Sequence, residues 1–356
     1  MREAIRLAEK GRGRVSPNPL VGAIVIQKGK VIGRGAHLFF GGPHAEANAL
    51  KMAGHKAKGA ALYVTLEPCS TWGKTGPCTE AILESGIKQV YIGAKDPNPK
   101  HGRRGIRILR KAGIKVKYGI LAEEVLKQNV GFVSLMKIKR PYVILKMAQS
   151  LDGKISTVKG ESKWITSEAT RKFVHALRSK VDAVLVGTNT IMHDNPHLTV
   201  RNGSVKTNQP SRIILDRCLK IKSGARALNT KSAPIYYATA PKNVSRATSR
   251  FASKRVDILG IPEKAHSFNL EILLKEMAKR GVASILVEGG GELAASLLKD
   301  KLVDKIYWCV APIFIGGRGA KTSVEGMGID RLTNALRLKK VQIHRFKDDI
   351  VIEGDL

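Results

Sequence analysis

Two short motifs near the start of the chain bring together groups that can hold a divalent metal. His44-Ala45-Glu46 follows Pro43, and Pro68-Cys69 is followed by Cys78, nine residues after Cys69. Zinc takes imidazole and thiolate ligands, and a catalytic zinc site keeps one of four positions for water. One histidine and two cysteines meet that count, so His44, Cys69 and Cys78 are the expected ligands of one zinc ion per chain. His44 and Cys78 each fall at an expected helix start, where unpaired N–H groups favour negative charge and so help a thiol ionise. Glu46 is not needed as a ligand. Beside the open position it would take a proton from water, whose pKa the metal brings to roughly 7, and return it to a leaving group. Attack on an amidine-type ring carbon would then expel ammonia, the role set of zinc nucleobase deaminases. Each motif alone is common by chance; both in this order, each between a strand and a helix, are specific. The segment Ser70–Pro77 departs from the usual Cys-x-x-Cys spacing and would project beside the metal. Lys74 within it is a candidate for a phosphate or a ring oxygen, the bland alternative being a surface loop.

The elements that must position these groups follow from apolar runs and breakers. Val21–Ile26 and Val31–Ala36 read as a hairpin, with Ala61–Leu66, Gln89–Ala94 and Ile114–Tyr118 as further strands. Helices are expected from Pro43 to about Met52, over Cys78–Glu84, Arg104–Lys111 and Glu123–Val133. The basic stretch Lys137–Arg140 meets Pro141, where a domain boundary is placed: 1–140 and 141–356. Beyond it, strands are expected at Tyr142–Met147, Ala183–Val186, Arg212–Leu215, Pro234–Tyr237, Ser284–Val287, Lys305–Val310 and Asp349–Ile352. Helices are expected at Glu168–Lys180, Leu270–Arg280 and Glu292–Lys299. Both halves therefore read as α/β, the first with a mixed sheet covered by helices.

A chain of 356 residues suggests two cores rather than one. Its 43% hydrophobic content fits a folded protein, and no run of 18 apolar residues marks a membrane span. The net charge of +33 suggests anionic partners. It is spread evenly: 26 Lys+Arg against 9 Asp+Glu in residues 1–140, and 36 against 20 in the remainder. With no basic run of five, a phosphorylated small molecule is favoured over nucleic acid, and no nucleic-acid partner is expected. Four cysteines without a secretory leader do not form a disulfide framework and point to the cytoplasm. Cys218 and Cys309, in apolar strand-like runs, are expected to be buried packing residues. Whether chains associate as a homo-oligomer is left open.

In the second half, Gly289-Gly290-Gly291 follows a strand and precedes a helix, a turn through which backbone N–H groups can approach a phosphate. It lacks the Gly-x-Gly-x-x-Gly spacing of a Rossmann turn. Arg178 and Arg201 suit a sugar phosphate through forked hydrogen bonds, or are simply solvated. Trp164 reads equally as a core residue, and Asp152-Gly153 as a turn or a ribose contact. Hydride transfer asks the protein mainly to hold two partners face to face, so no loud motif is expected.

The long Cys-to-Cys loop, Pro17-Asn18-Pro19 and Asp96-Pro97-Asn98-Pro99 together resemble the bifunctional pyrimidine deaminase/reductase family of riboflavin biosynthesis. The second half resembles it too, in Ser150–Gly153, Gly160–Thr166, Asp194–Arg201 and Val287–Gly290, so the likeness spans nearly the whole chain. It implies a cytidine-deaminase-like first domain and a dihydrofolate-reductase-like second domain. It implies hydrolytic deamination of 2,5-diamino-6-ribosylamino-4(3H)-pyrimidinone 5′-phosphate, then NADPH-dependent reduction of the ribosyl chain to ribityl. By the same resemblance Asn18 and Lys74 contact the pyrimidine. Ala148, Trp164, Thr190 and Asp194 contact NADPH, as does the turn Gly290, Gly291, Glu292, Leu293, Ala294, Ala295 and Ser296. Ser162, Arg178, Leu198, Arg201 and Glu288 contact the substrate. Two positions depart from the pattern: Thr71 or Trp72 stands where many members have histidine, and Arg217 where some have a small hydroxyl residue near the cofactor. Two rival readings stand beside this one. A nucleic-acid base deaminase would draw on the +33 charge, and a scaffold with a structural zinc would need a fourth ligand that is not evident.

Overall fold

Apolar strands separated by glycine-bearing turns give each half of the chain its own sheet. The computed structural model describes residues 1–99, 102–201, 209–229, 233–264 and 267–356. They form two compact units, Met1–Arg140 and Pro141–Leu356.

The first unit opens with helix α1 (Arg2–Ala8), then the hairpin β1 (Gly22–Gln27) and β2 (Lys30–Ala36). Helix α2 (Ala45–Ala53) leads to β3 (Ala61–Leu66), α3 (Cys78–Glu84), β4 (Gln89–Ala94), α4 (Arg104–Lys111) and β5 (Lys115–Tyr118). The sheet order is β2-β1-β3-β4-β5, antiparallel across β2, β1 and β3 and parallel from β3 to β5. Ala23, Val25, Leu62, Val64, Val90 and Ile92 alternate along the strands and bury one face under α2, α3 and α4, with Ala49, Ile82 and Leu109 opposite them. The helix expected over Glu123–Val133 is two helices, α5 (Ala122–Gln128) and α6 (Val130–Lys137). They part at Asn129, whose buried amide accepts from Leu20 N–H and donates to Leu20 O and Val125 O, satisfying the turn that follows Pro19 instead of continuing the helix.

The second unit holds β6 (Tyr142–Ser150), α7 (Glu168–Arg178), β7 (Ala183–Gly187), α8 (Thr188–Asp194), β8 (Ser211–Leu215), β9 (Ile235–Thr239), α9 (Val244–Arg250) and β10 (Val256–Gly260). A short hairpin follows, β11 (Glu263–Lys264) and β12 (Ser267–Phe268), then α10 (Leu270–Lys279), β13 (Ser284–Val287), α11 (Gly291–Lys299) and β14 (Lys305–Ala311). The chain ends in β15 (Lys339–Phe346) and β16 (Asp349–Asp355). Nine strands make one sheet, β10-β9-β8-β7-β13-β6-β14-β16-β15, parallel from β10 to β14 and antiparallel over the last two. Such a sheet, apolar on both faces, needs two covering layers. One face packs Leu145, Ile213 and Ile285 against Leu274, Met277 and Leu297. The other packs Val184, Ile214 and Tyr237 against Ile191, Leu198 and Phe251. Cys309 is buried on β14, whereas Cys218 is exposed: β8 stops at Leu215, and the apolar residues after it belong to a turn pinned by Asp216. The expected burial of Cys218 is therefore corrected. Among the described residues no helix is long and apolar enough to cross a membrane.

Candidate metal centre and reductase cleft

Helix α2 approaches β2 closely because two glycines of that strand, Gly33 and Gly35, lie beneath it. A Cβ on Gly35 would lie 2.1 Å from Ala45 O, and one on Gly33 2.2 Å from Ala49 O, so the helix lies directly on the strand backbone. His44 caps this helix and Glu46 sits in its first turn, buried. Asn48 Nδ2 donates to Ala36 O (2.9 Å) and fixes the same end. Cys78 opens α3 in the same way, and its backbone N–H donates to Cys69 Sγ (3.2 Å). Cys69 itself follows β3, where Glu67 is buried and accepts from the backbone N–H groups of Asp96, Arg103 and Ile106. Gly105 lets α4 close on that corner: a Cβ there would lie 2.2 Å from Pro68 O.

The result is one cluster. His44 Nδ1 lies 3.2 Å from Cys78 Sγ and 3.4 Å from Cys69 Sγ, and the three candidate ligand atoms all lie within 4.8 Å of one another. Tetrahedral bonds of about 2.3 Å to sulfur and about 2.0 Å to nitrogen put such atoms about 3.6 Å apart. The donor set therefore fits zinc in both chemistry and spacing. Hydrogen bonds from Cys78 and then His44 pull Cys69 down to about 4 against the effect of burial. The same contact, with burial, pushes Cys78 up. Burial, reinforced by the charge of Cys69, raises the Glu46 carboxyl to about 7. A carboxyl poised there both accepts and returns a proton near neutral pH.

Asn18 approaches the cluster through His37. His37 Nδ1–H donates to Pro43 O (3.1 Å), which leaves Nε2 to accept from Asn18 Nδ2 (3.2 Å), and its ring meets His44 edge-on at 5.3 Å. Sequence reasoning passed over His37 and Glu67; a histidine seven residues ahead of His44, and an acid directly before Pro68-Cys69, were the available signals. A pocket of about 340 Å³ opens beside His44 and Cys78, walled by Trp72, Thr75, Gly76 and Glu80. Lys74 does not line it; its ammonium lies over the Phe40 ring, 4.0 Å from the centroid.

The second unit contains a cleft of about 1340 Å³. Ala148, Ser162, Trp164, Thr190 and Asp194 line it, as do Arg178, Leu198, Arg201 and Glu288. Gly290, Gly291, Glu292, Leu293 and Ser296 line it from the start of α11, with nothing within 4 Å of a Cβ placed on Gly290. Ala294 and Ala295 do not: Ala294 points into the core, the opposite side of the same helix. The open backbone at Gly290 and the first N–H groups of a nine-residue helix suit a dinucleotide phosphate. Arg178 and Glu288 face each other rather than standing free. Nε and Nη2 donate to the two carboxylate oxygens at 2.5 and 2.8 Å, and Nη1 donates to Thr199 O at 3.1 Å. Burial opposes the charge on Glu288, but Arg178 overcomes it and holds the carboxyl below its ordinary value. Ser162 Oγ donates to Asp194 (2.6 Å). Trp164 is 66% exposed and stacks on Arg171, so the core alternative for it is discarded. Asp152 accepts from Ser150 Oγ, Ile315 N–H and Gly316 N–H, which makes it a turn anchor. Arg217 is paired with Glu263 at 2.9 Å.

Comparison with known proteins shows which family the chain belongs to. Residues 141–352 match the RibD C-terminal domain family, and residues 1–94 match the cytidine and deoxycytidylate deaminase zinc-binding region. The riboflavin biosynthesis protein RibD of Aquifex aeolicus is 43% identical over 352 residues, covering 99% of this chain and 96% of that protein. The chain belongs to the RibD family. Acinetobacter baumannii RibD superposes with a TM-score of 0.89 at 33% identity, over 100% of this chain and 97% of that one. A diaminohydroxyphosphoribosylaminopyrimidine deaminase/5-amino-6-(5-phosphoribosylamino)uracil reductase from Thermotoga maritima does so at 0.87 and 36%, with the same coverage. The chain is thus a bifunctional enzyme of riboflavin biosynthesis, a zinc-dependent deaminase joined to an NADPH-dependent reductase.

Proposed function

We propose that the first half releases ammonia from 2,5-diamino-6-ribosylamino-4(3H)-pyrimidinone 5′-phosphate and that the second half reduces the ribosyl chain of the product to ribityl. The observation that carries the first step is the convergence of His44, Cys69 and Cys78 with a buried Glu46 one residue into the helix that His44 caps. His44, Cys69 and Cys78 hold the zinc, which when bound supplies Lewis-acid activation of the attacking water. Glu46 takes the water's first proton and passes it to the ring nitrogen; it then takes the remaining proton from the hydroxyl of the adduct and delivers it to the departing amine, so that ammonia leaves and the ring carbonyl forms. Its first-turn position and its burial keep it aimed at one place and poised near neutrality. His37, held neutral by burial and oriented by Pro43, steadies Asn18 for the pyrimidine. Lys74, four residues before Cys78, meets a ring oxygen or the phosphate.

In the second half NADPH supplies the hydride when bound. The Gly290–Gly291 turn would hold its phosphates, and Ala148, Trp164, Thr190 and Asp194 would position the rest of the dinucleotide, a reading supported by their place along one cleft. Arg178, already oriented by Glu288, and Arg201 receive the substrate phosphate, while Ser162 and Leu198 bound its ribosyl chain. The reaction needs proximity and orientation more than an acid, and a preformed guanidinium supplies orientation. The even spread of charge over both halves supports a phosphorylated small molecule rather than nucleic acid as partner. Free cysteines in a metal-binding pattern support a cytoplasmic setting. Association into a homo-oligomer is supported by the edge strand β15, which leaves Val341 and Ile343 exposed. The deciding experiment supplies the diaminopyrimidine phosphate with and without NADPH and identifies the products by mass. Deaminated product without NADPH and ribityl product with it are expected; recovery of unchanged substrate in both arms overturns the reading.

A further inference from the structure

Two loops flank the metal site, and the contact between them is a cation on an aromatic face. Phe40 lies four residues before His44, and Lys74 lies four residues before Cys78. Lys74 Nζ stands 4.0 Å above the Phe40 ring centroid. The lysine stem runs along Gly41, where a Cβ would lie 3.2 Å from Lys74 Cδ; the φ of +82° at that glycine already favours a residue without a side chain. Phe40 is held from behind: its N–H donates to Arg14 O at 2.9 Å. The ring itself is 44% exposed, so it is not a core residue, and the lysine shields part of its outer face. Among the groups that follow Lys74, Thr75, Gly76 and Pro77 wall the pocket beside His44 and Cys78. Holding Lys74 therefore holds a wall of that pocket.

We propose that Phe40 is a positioning residue for the deaminase reaction: its ring face clamps Lys74 and so sets the 70–77 loop against the pocket at the metal site. The proposal rests on the reading that the first half is a deaminase whose substrate meets Lys74. The clamp is an exposed cation–π contact, worth about 0.5–1 kcal/mol, which corresponds to roughly a 2- to 5-fold effect. It keeps a long, rotamer-rich side chain in place before the substrate arrives, lowering the ordering cost of binding.

The test uses the zinc-loaded full chain with Phe40→Leu, Phe40→Tyr and Lys74→Met. Three quantities are read: KM and kcat for ammonia release, zinc content, and the rate at which trypsin cuts between Lys74 and Thr75, followed by mass. Phe40→Leu keeps the bulk and loses the ring face. It is expected to raise KM about 2- to 5-fold at unchanged kcat and zinc content, and to speed cleavage after Lys74 by a similar factor. Phe40→Tyr is expected to behave as the parent. A parental cleavage rate in Phe40→Leu overturns the clamp, as does a Phe40→Tyr variant that behaves like Phe40→Leu, or zinc loss that accounts for the KM change. Lys74→Met separates the two readings. If it leaves KM unchanged while Phe40→Leu still speeds cleavage, the clamp stands and the substrate role of Lys74 falls.

Discussion

Glu46 combines burial with a neighbouring thiolate, and those two features set what its replacement should do. Glu46→Gln keeps the shape and removes the proton carrier. Ammonia release is expected to drop by about 10²- to 10⁴-fold, while zinc content by metal analysis stays at one per chain. Loss of zinc together with activity would instead make Glu46 a ligand. The Arg178–Glu288 pair makes a pH prediction. Burial works against the ionised Glu288, but Arg178 prevails and its carboxyl is depressed. A depressed acid stabilises the fold above its unfolded pKa of about 4.3, and that contribution disappears as pH falls through the lower folded value. Urea midpoints should therefore fall more steeply below about pH 4 in the parent than in Glu288→Gln. At neutral pH the same variant leaves a guanidinium buried without its partner and is expected to cost about 3–5 kcal/mol. Equal acid slopes in the two proteins would show that the pair carries no linkage.

At the scale of elements, the glycines under α2 carry the metal site as much as its ligands do. Gly35→Ala places a methyl 2.1 Å from Ala45 O. Relief requires the helix to lift, so a loss of about 1–3 kcal/mol is expected, read by thermal unfolding. Zinc occupancy should fall with it, because His44 caps the displaced helix. Most elements that frame the sites were legible from the chain alone, because their apolar periodicity agrees with their turns: Ala61–Leu66, Cys78–Glu84, Arg104–Lys111 and Ser284–Val287 form as read. Three of the elements that escaped have a weak local pattern. β15, Lys-Lys-Val-Gln-Ile-His-Arg-Phe, is an exposed edge strand with polar residues on both faces. α9, Val-Ser-Arg-Ala-Thr-Ser-Arg, is built from poor helix formers and buries only Ala247. α8 starts Thr-Asn-Thr and turns only Ile191 to the core. The metal triad was legible because zinc chemistry fixes residue type and count. His37, Glu67 and Phe40 were not, since each acts through a neighbour that only folding brings close.

At the scale of the whole chain, the two chemistries depend on different groups, and each unit contains its own. Treatment with a strong zinc chelator is therefore expected to abolish ammonia release while leaving NADPH oxidation by deaminated substrate within about 2-fold of its starting rate. Loss of both activities together would contradict separate sites. The charge of +33 acts on both. It draws phosphorylated ligands in and is screened by salt, with a Debye length of about 8 Å at physiological ionic strength. KM for either phosphorylated substrate should rise as salt is added, with kcat little changed.

The side chain of Glu67 ties Cys69 to a distant part of the chain. Its two oxygens collect amides from residues 29 to 39 positions downstream, and Pro68 rests against a helix that starts there. A thiolate is thus anchored like the end of a guy rope whose pegs lie elsewhere. A side chain placed at Gly105 would press on Pro68 and so disturb the metal's grip without altering any atom that touches it.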